Sequence, residues 1–311
     1  MKYVCICISG MVRSNFFTSE SINKFIEALE CNGNKVDVFI DIWDTQELYS
    51  PGVQKNLRRR LPMEIYKELG DKEKKIEYFS KNYPNFYKML TTSIYSSLEK
   101  NYKSPILNTR KTNIESQKEF LAQNGLSEKP ALLFKGNLNQ AFMFHKISSC
   151  MKLADSYSEK HSIEYDVVIR MRPDTYIKKY HLDFVDDSEI DKAVKTMNLS
   201  GSEGFVGDIL FYSNHRNMRN ICSIGDKIIE AGTTDVFGDG TVTFSERLLT
   251  KTIEDRKLDY FKQDFIKGSF PSETFDYADK KVFPKKLAKK ALDMDHLETS
   301  WSDLFLKKYT R

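Results

Sequence analysis

The period of apolar positions changes several times along the chain, and each change predicts an element. Lys2 to Ile8 (KYVCICI) is a continuous β-favouring run ending at Ser9-Gly10; a strand apolar on both faces is what a mostly parallel, doubly covered sheet requires. A loop from Ser9 to Ser14 follows. From Thr18 to Leu29 the residues Ile22, Phe25, Ile26 and Leu29 recur at helical spacing, with Ser19 or Ser21 available as caps. Val36 to Trp43 (VDVFIDIW) predicts a second strand, with Asp41 and Asp44 near its carboxyl end. Open α/β sheets bind their ligands at that end.

Between about Asn56 and Lys129 the composition turns to Lys, Glu, Tyr and Asn, with charge clusters at Arg58-Arg59-Arg60 and Asp71 to Lys75. This predicts a helical insertion spanning about residues 46–137, its basic triplet a solvated helix face. Asn139 to His161 carries Phe142, Phe144, Ile147, Met151, Leu153, Ala154 and Tyr157 in a helical pattern and leads into Tyr165 to Asp174. There Val167 to Ile169 predicts a central strand, and Pro173 ends its ladder just where Asp174 emerges. Gly204 to Tyr212 predicts another strand, and Met218 to Ala231 and Thr243 to Ile253 predict helices. No clear strand follows them. The last segment, about 270–311, combines the basic stretch Lys280 to Lys290 with Trp301, Leu304 and Phe305 and reads as a closing amphipathic segment. The whole predicts one α/β domain, with a mostly parallel central sheet flanked by helices and a helical insertion.

Composition narrows the picture. At 40% hydrophobic and 30% charged residues the chain is too apolar for wholesale disorder. Its net charge of +4 is too mild to imply nucleic acid as an obligate partner, yet compatible with anionic ligands. Cys5 and Cys7 are two apart on a strand and point to one side, into the core; with Cys31, Cys150 and Cys222 they have no metal-ligand spacing and read as reduced thiols. The apolar run at the start, Tyr3 to Ile8, is too short for a signal peptide, and no stretch approaches a membrane span. A cytoplasmic protein is expected, and peripheral membrane contact through the basic tail is compatible with that.

The residues that carry chemistry gather at Arg170, Arg172 and Asp174. At strand spacing the three share a phase, so two guanidinium forks and a carboxylate stand in a row. Such a row needs partners. These are either protein carboxylates, such as Asp41, Asp44 or Asp166, or an anionic ligand whose diphosphate matches the forks bidentately. No HExxH, paired CxxC, GxSxG or Walker-type loop is present, and the five histidines have no metal-ligand spacing; zinc proteases, serine hydrolases and P-loop kinases are thereby disfavoured. Gly238-Asp239-Gly240 reads as a tight turn.

The string YDVVIRMRPDTYI resembles the D-x-V-I-R-x-R-P-D signature of bacterial and viral polysaccharide glycosyltransferases of lipopolysaccharide and capsule assembly. Other segments fall in that family's order: ISGMVRS, DVFIDIWDT, Gln140 ahead of its helix, VGDILFYSN, and Ser245-Glu246-Arg247-Leu248-Leu249. The resemblance implies a GT-A-like fold, a nucleotide-sugar donor and a glycan or lipid-linked glycan acceptor. It places Ser9, Gly10 and Arg13 under the nucleotide, with Asp41, Arg170, Arg172 and Asp174 completing the donor site. Asp174 takes the place of the last carboxylate of a GT-A DxD triplet, the position from which a divalent cation (Mn or Mg) would be held. Arg172 stands where the triplet's first Asp is expected, so the cation is in question and the guanidinium is a substitute for it. Asp208 and Glu246 are the candidates to accept the acceptor's proton. Two rivals stay open. One is a sulfotransferase-like enzyme using Ser9 to Ser14 as a phosphate cradle; the other is a noncatalytic carbohydrate-binding protein on the same fold.

Overall fold

The computed structural model describes residues 1–12, 15–49, 94–98, 102–126, 135–186, 188–200, 203–238, 244–263 and 266–269, with isolated positions between 77 and 84. The chain divides into two compact units, Met1–Gln46 with Ser97–Ser269, and Glu47–Ser96 with Phe270–Arg311. The first part of the expected insertion, 47–96, and the expected closing segment fall in the second unit, and the rest of the insertion falls in the first. Arg13, the basic triplet at 58–60, the cluster 71–75, Asp239, Gly240 and the segment 280–305 lie outside the described residues.

The elements in chain order are β1 (Tyr3–Val12), α1 (Asn15–Cys31), β2 (Lys35–Tyr49), β3 (Ile94–Ser97), β4 (Thr109–Glu115), α2 (Gln117–Gln123), α3 (Leu138–His161), β5 (Val167–Met171), β6 (Tyr176–Tyr180), β7 (Ala193–Thr196), β8 (Leu199–Ser200), β9 (Phe205–Val206), β10 (Leu210–Ser213), α4 (His215–Cys222), α5 (Ile224–Ala231), α6 (Ser245–Asp255), β11 (Asp259–Lys262) and β12 (Ile266–Ser269). The main sheet of the first unit runs in the order β11-β7-β10-β5-β1-β2, with β4 also on β2. β1 is parallel to β2 and β5, β2 to β4, and β7 to β11, while β10 lies antiparallel to β5 and β7. The architecture is therefore α/β, with a mostly parallel central sheet.

The doubly apolar runs became central strands, as their pattern requires. All five residues of β5 are buried, and in β1 only Tyr3 and Met11 are less than buried. α3 supplies the cover, its face of Ala141, Phe144, Ile147, Cys150, Met151 and Ala154 joining Cys5, Cys7 and Val168 in one core. Cys5 and Cys7 do share a face, with their sulfurs 3.7 Å apart, and all five cysteines are free thiols, Cys31 alone exposed. Burial pushes the Cys5 thiol up, which keeps it protonated and inert.

Several boundaries differ from the sequence pattern, each for a physical reason. β1 continues through Ser9-Gly10 to Val12, where a loop was expected; Gly10 has φ +127°, a conformation that favours glycine, and the pairing with β2 shifts register between Gly10 and Val12. Thr109–Glu115 lies inside the expected helical insertion but is a strand, β4. Its sequence TRKTNIE has little apolar signal because only its pairing with β2 orders it. β7 and β11 were missed for the same shortage of pattern, four residues each, and the sheet therefore does resume after α6. The expected strand Gly204 to Tyr212 is broken into β9 and β10 by Gly207-Asp208, and the expected helix Met218 to Ala231 is α4 and α5, divided at Ser223.

Candidate functional site

The antiparallel pairing of β10 with β5 sets the site. Phe211 lies opposite Arg170 and Leu210 opposite Met171, and just past the strand end the Arg172 amide donates to the Ile209 carbonyl at 3.0 Å. Asp208 is thereby delivered beside both arginines. The Arg170 guanidinium donates through Nη1 to the Asp208 carbonyl, through Nε to Ser9 Oγ at 3.2 Å and through Nη2 to the Ser9 carbonyl at 3.3 Å. It also lies over the Phe211 ring, 5.8 Å from its centroid. At 1% exposure Arg170 is sealed. Burial pushes its pKa down to about 10, with Arg172 acting in the same direction and Asp208 against it. Arg170 and Ser9, expected at the donor, instead tie the ends of β1, β5 and β10 together.

Arg172 stays partly open, its side chain 19% exposed. Its fork holds Asp174 from two sides, Nε to Oδ1 at 2.9 Å and Nη2 to Oδ2 at 2.7 Å, and Nη1 lies 3.8 Å from Asp208 Oδ2. Burial depresses the affinity of this guanidinium for its proton, but the pair with Asp174, with Asp208 and Glu246 behind it, lifts it above the ordinary value. Glu246 is brought in by a separate link. Thr250 Oγ1 accepts the Val206 amide at 2.7 Å and donates to the Glu246 carbonyl at 2.8 Å, which docks the first turn of α6 on β9. Glu246 is half-buried and accepts from Ser245 Oγ at 2.9 Å. Arg172, Asp174 and Asp208 thus meet at the end of β5, and Glu246, on the first turn of α6, adds its charge to the same guanidinium.

Sequence reasoning missed what makes this turn possible. A Cβ on Gly207 would fall 2.2 Å from Asn198 Oδ1, so the carboxamide of Asn198 packs where any larger residue would have a side chain. The Asn198 carbonyl accepts the Gly207 amide at 3.0 Å. An apolar strand interrupted by Gly-Asp was the available signal.

Asp41 sits elsewhere. Its carboxylate is fully buried, not open to a crevice, and takes the Lys146 amine at 2.6 Å and Asn113 Nδ2 at 3.1 Å. Lys146, also without exposure, donates to Glu115 Oε2 at 2.7 Å, which His145 Nε2 approaches to 2.9 Å. The Trp43 ring covers the amine at 4.3 Å from its centroid. Asp166, another expected partner of the arginines, accepts the Tyr3 amide at 2.8 Å and lies 3.6 Å from the Lys2 amine. Burial pushes the Glu115 carboxyl up, but His145 and Lys146 outweigh it and hold the pKa at about 2 against an ordinary 4.5. A depressed carboxyl contributes stability that is complete above its unfolded pKa and lost as pH falls through the folded one. Unfolding free energy should therefore decline as pH is lowered from 4.5 towards 2, and Glu115→Gln should flatten that slope; urea unfolding in steps of pH measures both.

A divalent cation does not fit the carboxylates as they stand. Both Asp174 oxygens accept from Arg172 at 2.7 and 2.9 Å, and among the described residues no group of three or more His, Cys, Asp and Glu is placed to hold a metal ion. Among the described residues no helix is long and apolar enough to cross a membrane.

No family model and no curated protein matches the sequence. Among solved structures, the chain is similar to the glycosyltransferase GlyE of Streptococcus pneumoniae TIGR4, in two crystal structures of which one is the apo form. Each alignment has 8% identity and a TM-score of 0.30, and covers 99% of this chain. The chain spans 63% of the length of those structures.

Proposed function

We propose that the protein is a GT-A-like glycosyltransferase that moves a sugar from a nucleotide-sugar donor to a hydroxyl of a glycan or lipid-linked glycan acceptor. The observation that supports this best is the meeting of Arg172, Asp174 and Asp208 at the end of β5, one partly open guanidinium beside two carboxylates, with the charge of Glu246 acting on it from the first turn of α6. In the transfer, the acceptor oxygen forms a bond to the anomeric carbon as the bond from that carbon to the donor phosphate breaks. The leaving diphosphate keeps the electron pair and the acceptor loses a proton. Arg172 meets the charge that develops on the diphosphate, the kind of fixed stabilisation that is usually the largest single contribution to such a rate. Glu246, half-buried at the first turn of α6, receives the proton. Asp208 positions: its carbonyl fixes Arg170 and its carboxylate backs Arg172.

A thermal-shift screen over nucleotide sugars tests this. A ligand at 100 times its Kd adds about 2.7 kcal/mol, which in a chain of this size raises Tm by roughly 4 °C. A shift with UDP- or GDP-sugars and none with adenosine 3′,5′-bisphosphate is expected; the reverse pattern would assign a sulfotransferase. The closed pair of Arg172 and Asp174 also suits a noncatalytic protein that keeps the fold. Transfer left unchanged by Asp174→Ala would favour that alternative.

A further inference from the structure

We infer that Arg172 is the resident cation of this site, so that the donor's diphosphate is received by a guanidinium and not by a divalent metal ion. The inference rests on the transferase proposal and deepens it. A divalent ion would need to sit 2.0–2.6 Å from carboxylate oxygens. The Asp174 oxygens already hold Arg172 nitrogens at 2.7 and 2.9 Å, and the nearest other carboxylate, that of Asp208, faces the same guanidinium at 3.8 Å. Ion and fork therefore compete for one place. Arg172 is also held there from behind, its amide bonded to the Ile209 carbonyl at 3.0 Å and its side chain 19% exposed, so that displacing it would leave a charge in an enclosed setting.

The guanidinium suits the ligand class. It carries five N–H donors in a plane, of which Nε and Nη2 hold Asp174. Guanidinium forks bind phosphate oxygens bidentately. Arg170 lies directly behind, sealed, and adds a second positive charge to the same end of β5. The two arginines together balance the charges of Asp174 and Asp208, which would otherwise repel a pyrophosphate.

Two measurements decide it. Manganese alone, titrated into wild-type protein and followed by the electron paramagnetic resonance signal of free Mn²⁺, should remain free; Mn²⁺ binding that Asp174→Asn removes would overturn the inference whatever the nucleotide does. UDP and GDP titrated calorimetrically should then bind with the same Kd, within about twofold, in EDTA and in Mn²⁺. Arg172→Ala should weaken that binding at least about tenfold, with Arg172→Lys only partly restoring it because a point charge replaces a fork. Should Arg172→Ala fail to fold, the EDTA comparison on wild type carries the test unaided. Binding seen only with Mn²⁺ sinks the inference and leaves the transferase proposal standing. Binding of neither nucleotide in either condition sinks both.

Discussion

Glu246→Gln is expected to lower the rate of sugar transfer by roughly 10²–10⁴-fold, the range that a positioned general base contributes, with nucleotide affinity little changed. The substitution keeps the shape of the side chain and its place at the first turn of α6, but an amide cannot take the acceptor's proton. Asp208→Asn is expected to act differently. Its carbonyl still fixes Arg170, and its carboxylate serves Arg172 from 3.8 Å, so the loss should appear in donor affinity more than in turnover. Steady-state kinetics on both variants, with nucleotide binding measured beside them, separates the two roles. A full loss of turnover in Asp208→Asn with less than a tenfold loss in Glu246→Gln would exchange them.

Lys146→Ala is expected to be the most destabilising single change in the first unit. Lys146 and Asp41 have no exposed side-chain surface, and the same amine serves Glu115. Removing it leaves two carboxylates facing each other across a cavity, and breaking a buried pair from one side costs about 3–5 kcal/mol. Asp41→Asn should cost less. It removes a charge while keeping an acceptor oxygen, and the wild-type carboxylate already has one buried oxygen, Oδ2, with no hydrogen-bond partner. Urea unfolding monitored by Trp43, whose ring covers the Lys146 amine, reports on both. A cost under about 1 kcal/mol for Lys146→Ala would mean that water replaces the ammonium there.

The fold was legible where hydrophobic pattern is continuous. β1, β5, α1 and α3 lie within a few residues of their predicted places because each covers or fills the core with a regular apolar set, and β2 begins where expected but runs on from Trp43 to Tyr49. β4, β7 and β11 were not legible. Four- and seven-residue strands such as AVKT, DYFK and TRKTNIE owe their conformation to a neighbour's hydrogen bonds, which leave no mark on their own sequence. The site was partly legible. Arg172, Asp174 and Asp208 were singled out and lie within 4 Å of one another through the guanidinium, since strand phase and a Gly-Asp break are local signals. The separate fates of Arg170 and Asp41 were not, because sequence spacing shows which face a side chain takes but not what lies across from it. Lys146 carried an unused sign, a cation on the stripe of Phe142, Cys150 and Ala154 that buries the rest of α3.

The reversal of β10 separates chemistry from architecture. In β1, β2 and β5 the ligand end of the sheet is reached as the chain leaves a strand, so the loops that follow are constrained by the strands that precede them. In β10 the chain arrives at that end first and enters the strand afterwards. The register of Leu210–Ser213 against β5 is therefore set behind the Gly207-Asp208 turn, while ahead of it Asn198 and the bond from the Val206 amide to Thr250 hold the same turn from the other side. Asp208 thus reaches the arginines before its strand is laid down, and the Arg170 anchorage beneath it locks the turn from both directions.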